Sequence, residues 1–325
     1  MKSKIYITGA AGFIGFHTTK KLLNKGIEVH GFDSMNNYYD FKLKKARLDI
    51  LKKYKNFTFT KGSLENTKVL NNSILKFKPT TIIHLAAQAG VRYSLENPDT
   101  YLNSNVIGTF NILKISNEIK VKHLIIGSSS SVYGANKKFP FKEIDKTDHQ
   151  VSFYAATKKS TESLAHSYSS LWRIPITMLR FFTVYGPWGR PDMAYFKFTD
   201  NIIKNKIINV YNSGKHNRSF TYIDDIIDSI YLLYQKYNSN NKYYKLLNIG
   251  SNCSVSVLEL IKNIELKIGK KAKLKYLPKQ PGDVNNTASN CNKLNDLINF
   301  SPKINIKDGI IKFIDWYTEF YDKKI

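Results

Sequence analysis

The chain has 325 residues, a formal net charge of +25 and 42% hydrophobic residues. This composition excludes a globally disordered chain, and the length suits one large domain with a smaller one. Its two cysteines, Cys253 and Cys291, suggest neither a disulfide framework nor a metal site. No apolar run approaches the ~20 residues that span a bilayer, and no signal peptide precedes the first strand, so we expect a cytoplasmic protein without a membrane partner.

The positive charge is distributed along the whole chain. Lysines recur in pairs among many Asn, Ile and Tyr residues and form no dense block. This pattern favours a solvated basic surface over a site for nucleic acid, which we therefore do not expect as a partner. A positive field would still help to gather an anionic substrate.

Strand-like and helix-like segments alternate through the first half of the chain. Apolar runs and helical periodicity, read with their flanking glycines, define these elements. The predicted strands are Ile5–Thr8, Glu28–Phe32, Thr81–Leu85, His123–Gly127 and Leu246–Gly250, and the predicted helices are Phe13–Lys25, Val106–Ile119 and Thr221–Lys236. The alternation predicts an α/β fold, a Rossmann-type doubly wound parallel sheet covered on both faces.

A second lobe is predicted where proline and glycine accumulate, from about Gly186 onward. The tail is interpreted as loops and short helices. We expect residues 1–183 and 218–250 to form a Rossmann domain that binds the cofactor. Residues 184–217 and 251–325 are expected to form a smaller mixed α/β lobe that binds the substrate.

A glycine-rich turn follows the first predicted strand and opens the first helix, with glycines at Gly9, Gly12 and Gly15 around Phe13 and Ile14. Small residues there let the backbone approach a pyrophosphate, which the helix N-terminus stabilises. Asp33 ends the second strand at the distance where a carboxylate binds ribose hydroxyls. That carboxylate would repel a 2′-phosphate, so the sequence predicts NAD as the cofactor rather than NADP.

Tyr154 and Lys158 are four residues apart, on one face of a predicted helix. A lysine charge and an oxidised nicotinamide favour the phenolate, which can then act as a base near neutral pH. The serine run Ser128–Ser131 follows a strand, at the sheet edge where ligands bind. These residues predict a redox-active site, with Tyr154 as the base.

The whole constellation resembles the nucleotide-sugar epimerases of the extended short-chain dehydrogenase/reductase family (the NAD-dependent epimerase/dehydratase family), and most closely the UDP-glucuronate 4-epimerases. The resemblance covers nearly the entire chain and is carried by eight segments. They are Thr8–Gly15, Asp33–Asp40, His84–Pro98, Ser128–Gly134, Tyr154–Lys158, Arg180–Ala194, Arg218–Asp225 and Gln280–Val284.

The resemblance implies roles for individual residues. The catalytic group is Ser129, Ser130, Tyr154 and Lys158. Cofactor contacts are implied for the glycine turn and Asp33, and for Asn36, Leu85, Ala86, Ala87, Gln88, Asn105, Lys158, Thr183 and Val184. Substrate contacts are implied for Arg92, Ser129, Tyr154, Thr183, Val210, Arg190 on the sugar carboxylate, Arg218 on the phosphates and Asp283 near the uridine ribose. Two positions depart from the family pattern: Ser63 stands where many relatives have Asp, and Ser219 where an acidic residue is common.

The implied activity is the 4-epimerisation of UDP-glucuronate to UDP-galacturonate through a transient 4-keto sugar, an activity suited to polysaccharide biosynthesis. Dehydratases and decarboxylases of the family keep acidic residues at the positions of Ser130 and Ser131, which disfavours both reactions here. A 4-epimerase for a neutral UDP-hexose or UDP-N-acetylhexosamine stays open, as does a non-catalytic NAD-binding protein. By the same resemblance, the helices near Val106–Ile119 and Tyr154–Leu171 imply a homodimer.

Overall fold

The computed structural model describes residues 3–214, 217–237, 243–278 and 286–323. The strands in these residues are β1 (Lys4–Thr8), β2 (Glu28–Asp33), β3 (Phe57–Lys61), β4 (Thr81–His84), β5 (His123–Ser129), β6 (Ile176–Phe181), β7 (Thr183–Tyr185), β8 (Ile207–Tyr211), β9 (Asn217–Arg218), β10 (Phe220–Tyr222), β11 (Tyr244–Ile249), β12 (Val255–Ser256), β13 (Lys273–Leu277) and β14 (Asn286–Thr287). The α-helices are α1 (Phe13–Asn24), α2 (Phe41–Lys52), α3 (Thr67–Phe77), α4 (Tyr93–Glu96), α5 (Pro98–Tyr101), α6 (Gly108–Glu118), α7 (Phe153–Trp172), α8 (Ala194–Ile203), α9 (Ile223–Gln235), α10 (Val257–Ile268), α11 (Asn292–Ile298) and α12 (Ile306–Phe320).

A seven-stranded sheet in the order β11-β6-β5-β4-β1-β2-β3 forms the centre of the larger part of the chain. Its neighbours from β6 to β3 pair in parallel. The central strands are continuous apolar runs, such as Ile5–Ile7 and Leu124–Ile126, because helices cover both faces of the sheet. The predicted Rossmann-type α/β fold is confirmed.

Two helix predictions are corrected by the structure. The helix predicted from Val106 begins earlier, as a π-helical turn over Leu102–Ile107 that continues into α6. The helix predicted from Thr221 begins later, because Thr221 lies in β10, which pairs with β7. Sheet pairing determines this boundary, and no local pattern indicates it.

The tail contains longer helices than the sequence predicts. Helix α10 has 12 residues and helix α12 has 15, where loops and short helices were expected. Their buried residues recur at helical spacing, as Leu260, Ile261, Ile264 and Ile268 do in α10. The expectation of a loop-rich tail was wrong. It gave the prolines and the glycine near residue 280 more weight than this helical periodicity.

The chain folds into two compact units. The first contains Met1–Asn136, Glu143–Phe181 and Ile227–Leu247, and the second contains Lys137–Lys142, Phe182–Ile226 and Asn248–Ile325. The division differs from the predicted 1–183 plus 218–250, since residues 137–142, 182–183, 218–226 and 248–250 fall in the second unit. The reason is strand pairing: β10 pairs with β7, and the Phe182 backbone N–H donates to the Ile249 carbonyl.

Over its described residues, the second unit contains three small sheets, in the orders β10-β7, β12-β9-β14 and β13-β8. It also holds α8, α10, α11 and α12. Across both units, the helices in the described residues are all too short or too polar to cross a membrane.

Candidate active site

The glycine turn after β1 fits closely against its surroundings. Gly9 adopts φ +73°, which favours glycine, and its N–H donates to the Phe32 carbonyl at 2.7 Å. A Cβ on Gly9 would lie 2.8 Å from the Ala86 nitrogen, and one on Gly15 only 1.9 Å from the Gly9 oxygen. Gly12 caps α1 without a side-chain acceptor, and Phe13 and Ile14 are the first helical residues. The helix N-terminus is thus of the kind that binds phosphate.

Asp33 lies buried at the end of β2 and holds the glycine turn. Its Oδ2 accepts a hydrogen bond from the Ala11 N–H at 3.1 Å, and its Oδ1 accepts one from the Met35 N–H at 2.8 Å. Each carboxylate oxygen has a second lone pair for a ribose hydroxyl. Arg47, which the sequence interpretation missed, is fully buried and donates to the Ala11 carbonyl at 3.0 Å.

Asn36 follows on the next loop and interacts with a lysine. The Lys44 ammonium donates to the Asn36 side-chain oxygen at 2.5 Å and to its backbone carbonyl at 2.9 Å. Lys44 is buried, which is unusual for lysine. In a chain with so many lysines, no sequence signal distinguishes it. Ser63 lies half-buried between β3 and α3.

The loop after β4 contains Leu85, Ala86, Ala87 and Gln88, and it is tied to α7 through Asn105. The Leu85 N–H donates to the Thr8 carbonyl at 3.2 Å. The Gln88 N–H donates to Asn105 Oδ1 at 2.8 Å, and Asn105 Nδ2 donates to Thr157 Oγ1 at 3.0 Å. Asn105 lies in the π-helical turn, a geometry often found at functional sites.

His84, at the end of β4, is excluded as a base by its environment. Its two ring nitrogens bond Thr8 Oγ1 at 2.7 Å and Thr109 Oγ1 at 3.1 Å. Burial, together with the nearby Lys158 charge, lowers the pKa of His84 to about 3. The ring therefore stays neutral at working pH.

Tyr154 and Lys158 lie in the first turns of α7, as predicted. Ser152 caps the helix, and the Tyr154 N–H donates to Ser94 Oγ at 3.2 Å. The Tyr154 ring packs edge-on against Tyr101, with 6.0 Å between centroids. Lys158 is buried and its ammonium donates to the Gly127 carbonyl at 2.5 Å. Burial lowers the pKa of Lys158 to about 8, against an opposing effect of Glu162.

The serine run lies at the carboxyl end of β5. Ser129 Oγ donates to Ser131 Oγ and accepts from the Ser131 N–H, both at 3.1 Å. Ser130 opens a 3₁₀ turn and is half-buried. Because Lys158 bonds Gly127, two residues before Ser129, the first unit brings the lysine of α7 to this strand end.

A buried ion pair behind the serine strand was missed by the sequence interpretation. Arg180 donates through Nε to Glu162 Oε1 at 2.9 Å and through Nη2 to Oε2 at 2.8 Å. Ser128 Oγ also donates to Glu162 Oε1, at 2.6 Å. The available signal was spacing, since Glu162 follows Lys158 by four residues on the same face of α7.

Arg190, in the second unit, forms a two-point ion pair with Asp192. Arg190 Nε donates to Asp192 Oδ1 at 3.0 Å, and Nη2 donates to Oδ2 at 2.5 Å. Asp192, two residues after the arginine, was not singled out from the sequence. Arg92, in the first unit, is exposed just before α4.

The other predicted site residues of the second unit occupy several of its strands. Thr183 and Val184 lie in β7, and Val210 is buried in β8. Arg218 lies half-buried in β9 and donates to the Asn217 carbonyl at 3.0 Å. Asp283 lies outside the described residues.

Ser219 follows Arg218 and is fully buried. Its hydroxyl accepts hydrogen bonds from the Ser289 N–H at 3.2 Å and the Ser289 hydroxyl at 3.1 Å. This residue therefore joins the junction of β9 and β10 to the segment that follows β14. Ser219, which stands where an acidic residue is common in the family, therefore has a structural role in this unit.

Comparison with known proteins identifies the family. A family model described as GDP-mannose 4,6 dehydratase matches residues 6–313. Similar relatives include Protein CapI of Staphylococcus aureus, 50% identical over 98% of this chain and 100% of that protein. Another is a probable UDP-glucuronate 4-epimerase of Rhizobium meliloti, 43% identical over 97% of each chain. The chain belongs to the NAD-dependent epimerase/dehydratase family.

Solved structures of this family share the fold. The UDP-glucuronic acid 4-epimerase of Bacillus cereus, crystallised with UDP-glucuronic acid and NAD, is 33% identical, with a TM-score of 0.92 over 98% of this chain and 100% of that one. A UDP-glucose 4-epimerase of Thermotoga maritima, with UDP-glucose, is 27% identical, with a TM-score of 0.88 over 98% of this chain and 99% of that one. The family predicted from the sequence is confirmed.

Within the NAD-dependent epimerase/dehydratase family, this member has hydroxyls after Ser129. Ser130 and Ser131 carry no charge, so neither can serve as the acid or base of an elimination at this strand end. Over the described residues, His, Cys, Asp and Glu side chains form no cluster of three or more that could hold a metal ion.

Proposed function

We propose that this protein catalyses the NAD-dependent 4-epimerisation of a UDP-sugar, with UDP-glucuronate and UDP-galacturonate as the interconverted pair. The observation that carries the proposal is the buried Lys158 ammonium, which lies on α7 four residues after Tyr154 and donates to the Gly127 carbonyl near the end of β5. A strand end with serines, and without acidic residues, suits oxidation without elimination. The Bacillus cereus relative, with UDP-glucuronic acid and NAD, supports this substrate.

The residues present fit NAD. The glycine turn has no room for a Cβ at Gly9 or Gly15, which keeps the backbone at the start of α1 open to a pyrophosphate. Asp33 would bind the adenosine ribose and disfavour a 2′-phosphate. We propose further cofactor contacts from the loop after β4, Asn36, Asn105, Lys158, Thr183 and Val184. When bound, NAD supplies a nicotinamide ring that accepts a hydride from the sugar and returns it.

Tyr154 acts as the base in the proposed mechanism. Its phenolate takes the proton of the sugar 4-hydroxyl while C4 loses its hydride, and the two losses together yield a 4-keto sugar. Tyr154 later returns the proton to O4 as the hydride comes back to C4. The adjacent Lys158 charge favours the phenolate, and the Ser129 hydroxyl orients the sugar oxygen with help from Ser130. Inversion requires the keto sugar to present its opposite face before the hydride returns to C4.

Substrate specificity is proposed to rest on Arg190, whose guanidinium can pair with a uronate carboxylate through two hydrogen bonds. Arg218 is proposed to bind the UDP phosphates. Arg92, Thr183, Val210 and Asp283 are proposed as further contacts. A neutral UDP-hexose offers Arg190 no carboxylate, so the guanidinium favours the uronate.

A homodimer is proposed from an apolar helix face formed by Ile107, Phe110, Tyr168, Leu171 and Trp172. Phe110 on α6 contacts Tyr168 on α7 edge-on at 6.2 Å, and Trp172 lies 4.4 Å from Tyr168, measured between ring centroids. Leu171 is 68% exposed and Trp172 47%. A contiguous apolar patch of this kind marks an interaction surface, and a two-fold dimer covers such a face with its own copy.

Incubation of the purified protein with UDP-glucuronate, followed by ¹H NMR, tests the proposed function. We expect UDP-galacturonate to form to a constant ratio without net NADH release. Tyr154→Phe should lower kcat by about 10²–10⁴-fold while bound NAD is retained. Turnover of UDP-galactose but not of UDP-glucuronate would overturn the substrate, and near-normal activity of the variant would overturn the base.

A further inference from the structure

Glu162 and Arg180 form a buried, hydrogen-bonded ion pair behind the proposed active site. Their side chains are only 4% and 2% exposed. The guanidinium also lies over the Tyr133 ring, 4.7 Å from its centroid, and donates to the Glu143 carbonyl at 3.4 Å. Burying two charges is costly unless their hydrogen bonds are satisfied. Arg180 donates to Glu162 in a fork that meets this condition.

The pair is joined to the end of β5 that leads to Ser129. Ser128 Oγ donates to Glu162, and the Gly127 carbonyl accepts from Lys158. Glu162 and Lys158 are one helical turn apart on α7. Two consecutive residues of the strand are therefore held by two side chains of one helix face, immediately before the serine that is proposed to bind the sugar.

The ionisable side chains around Lys158 come from three elements. On β4, His84 is neutral, because burial and Lys158 itself lower its pKa to about 3. On α7, Glu162 supplies a carboxylate and Tyr154 a phenol. On β6, Arg180 supplies a guanidinium that pairs with Glu162. Burial lowers the pKa of Lys158 to about 8, and the Glu162 charge acts in the opposite direction.

We propose that Glu162 is a positioning residue of this enzyme: its charge keeps Lys158 protonated, its hydrogen bond with Ser128 fixes the strand end that leads to Ser129, and Arg180 holds the Glu162 carboxylate in place through two hydrogen bonds. The inference rests on the proposed function of Tyr154 and Lys158. Neither Glu162 nor Arg180 is proposed to touch substrate or cofactor. Both act on the reaction through Lys158 and the end of β5.

Glu162→Gln tests the proposal, because it removes the charge and keeps the size and an oxygen that accepts from Ser128. Without the carboxylate, the buried ammonium loses its proton at lower pH. The alkaline limb of kcat/KM for UDP-glucuronate should therefore move by about one pH unit toward lower pH. Rates at pH 6 should stay within about threefold of the parent. Glu319→Gln, the same change on an exposed helix surface, should leave the profile unchanged.

Arg180→Gln provides the second variant, needed if Glu162→Gln does not fold. Removing the guanidinium leaves the Glu162 charge to act on Lys158 alone, so the alkaline limb should move to higher pH. Opposite shifts in the two variants distinguish this role from a structural one, which would lower the rate equally at every pH. A uniform loss in Glu162→Gln, or a limb in Arg180→Gln that stays in place or moves to lower pH, would overturn the proposal.

Tyr154→Phe separates this inference from the proposed function on which it rests. Loss of turnover in Tyr154→Phe with an unshifted limb in Glu162→Gln would overturn only the role of Glu162. Retained turnover in Tyr154→Phe would overturn the base itself and this inference with it.

Discussion

Arg190 and Asp192 share two hydrogen bonds, at 3.0 Å between Nε and Oδ1 and at 2.5 Å between Nη2 and Oδ2. The aspartate thus fixes the plane of the guanidinium. Arg190 has five donors in a rigid fork, of which Asp192 accepts from two. The pairing of the Asp192 carboxylate with Arg190 is the same kind of carboxylate–guanidinium interaction that is proposed for the uronate.

Replacement of Arg190 should affect the uronate more than the nucleotide. Arg190→Ala should lower kcat/KM for UDP-glucuronate by about 10–100-fold, since a hydrogen-bonded charged pair contributes about 1.5–3 kcal/mol. Inhibition by UDP should change by less than about threefold, because UDP lacks the sugar carboxylate. Lys197→Ala, which removes an exposed charge from α8, is the matched control. An equal loss of UDP binding would show that Arg190 serves the phosphates instead.

Replacement of Lys158 should strongly lower activity and stabilise the fold. Burial lowers the pKa of Lys158 from its ordinary 10.5 to about 8, so the charged form is costly in the folded state. Lys158→Met removes that cost and keeps the side-chain length. We expect kcat to fall by about 10²-fold or more, with a Tm about 2–4 °C higher. A lower Tm in differential scanning calorimetry would contradict this account of the ammonium.

The same shift determines how stability depends on pH. Between about pH 8 and 10.5 the unfolded chain keeps the Lys158 proton and the folded protein releases it. The unfolded state then binds more protons, so this group makes the free energy of unfolding rise with pH across that window. Below about pH 8 both states are protonated and the full cost of burial is present. Lys158→Met should lack this contribution. Between about pH 8 and 10.5, its free energy of unfolding should therefore rise less with pH than that of the parent protein.

A charge in the apolar helix face should dissociate the proposed dimer. Phe110 is 40% exposed on α6, and Phe110→Asp would place a carboxylate where a second copy packs. Light scattering after gel filtration should report a dimer for the parent and a monomer for the variant. Leu266→Asp, at a 68% exposed position on α10, is the control and should remain dimeric. A parent protein that is monomeric at micromolar concentration would refute the interface.

Local patterns in the sequence predicted the sheet and the position of the glycine turn well. The strand from Ile5 to Thr8 and the glycines that follow are close together in the chain, and Asp33 ends the very next strand, so their context is short-range. The order of elements along the chain then determines a parallel sheet, because each strand is followed by a helix. Tyr154 and Lys158 were recognisable for the same reason, since they lie on one helix face.

Long-range pairing could not be predicted from the same patterns. The pairing of β10 with β7 moves Thr221 out of its predicted helix, and only the folded chain determines that register. Arg180 and Glu162 are 18 residues apart and meet through the packing of α7 on β6. Asp192 was overlooked because an acidic residue near an arginine is common on protein surfaces.

Asn105 has a consequence for motion in the first unit. Its side chain joins the Gln88 backbone to Thr157, and Thr157 Oγ1 donates to the Tyr154 carbonyl at 2.8 Å. The loop after β4 and the first turns of α7 therefore behave as one rigid part, although one of them has no regular secondary structure. Any opening that releases a bound dinucleotide must break these bonds together or leave both segments in place.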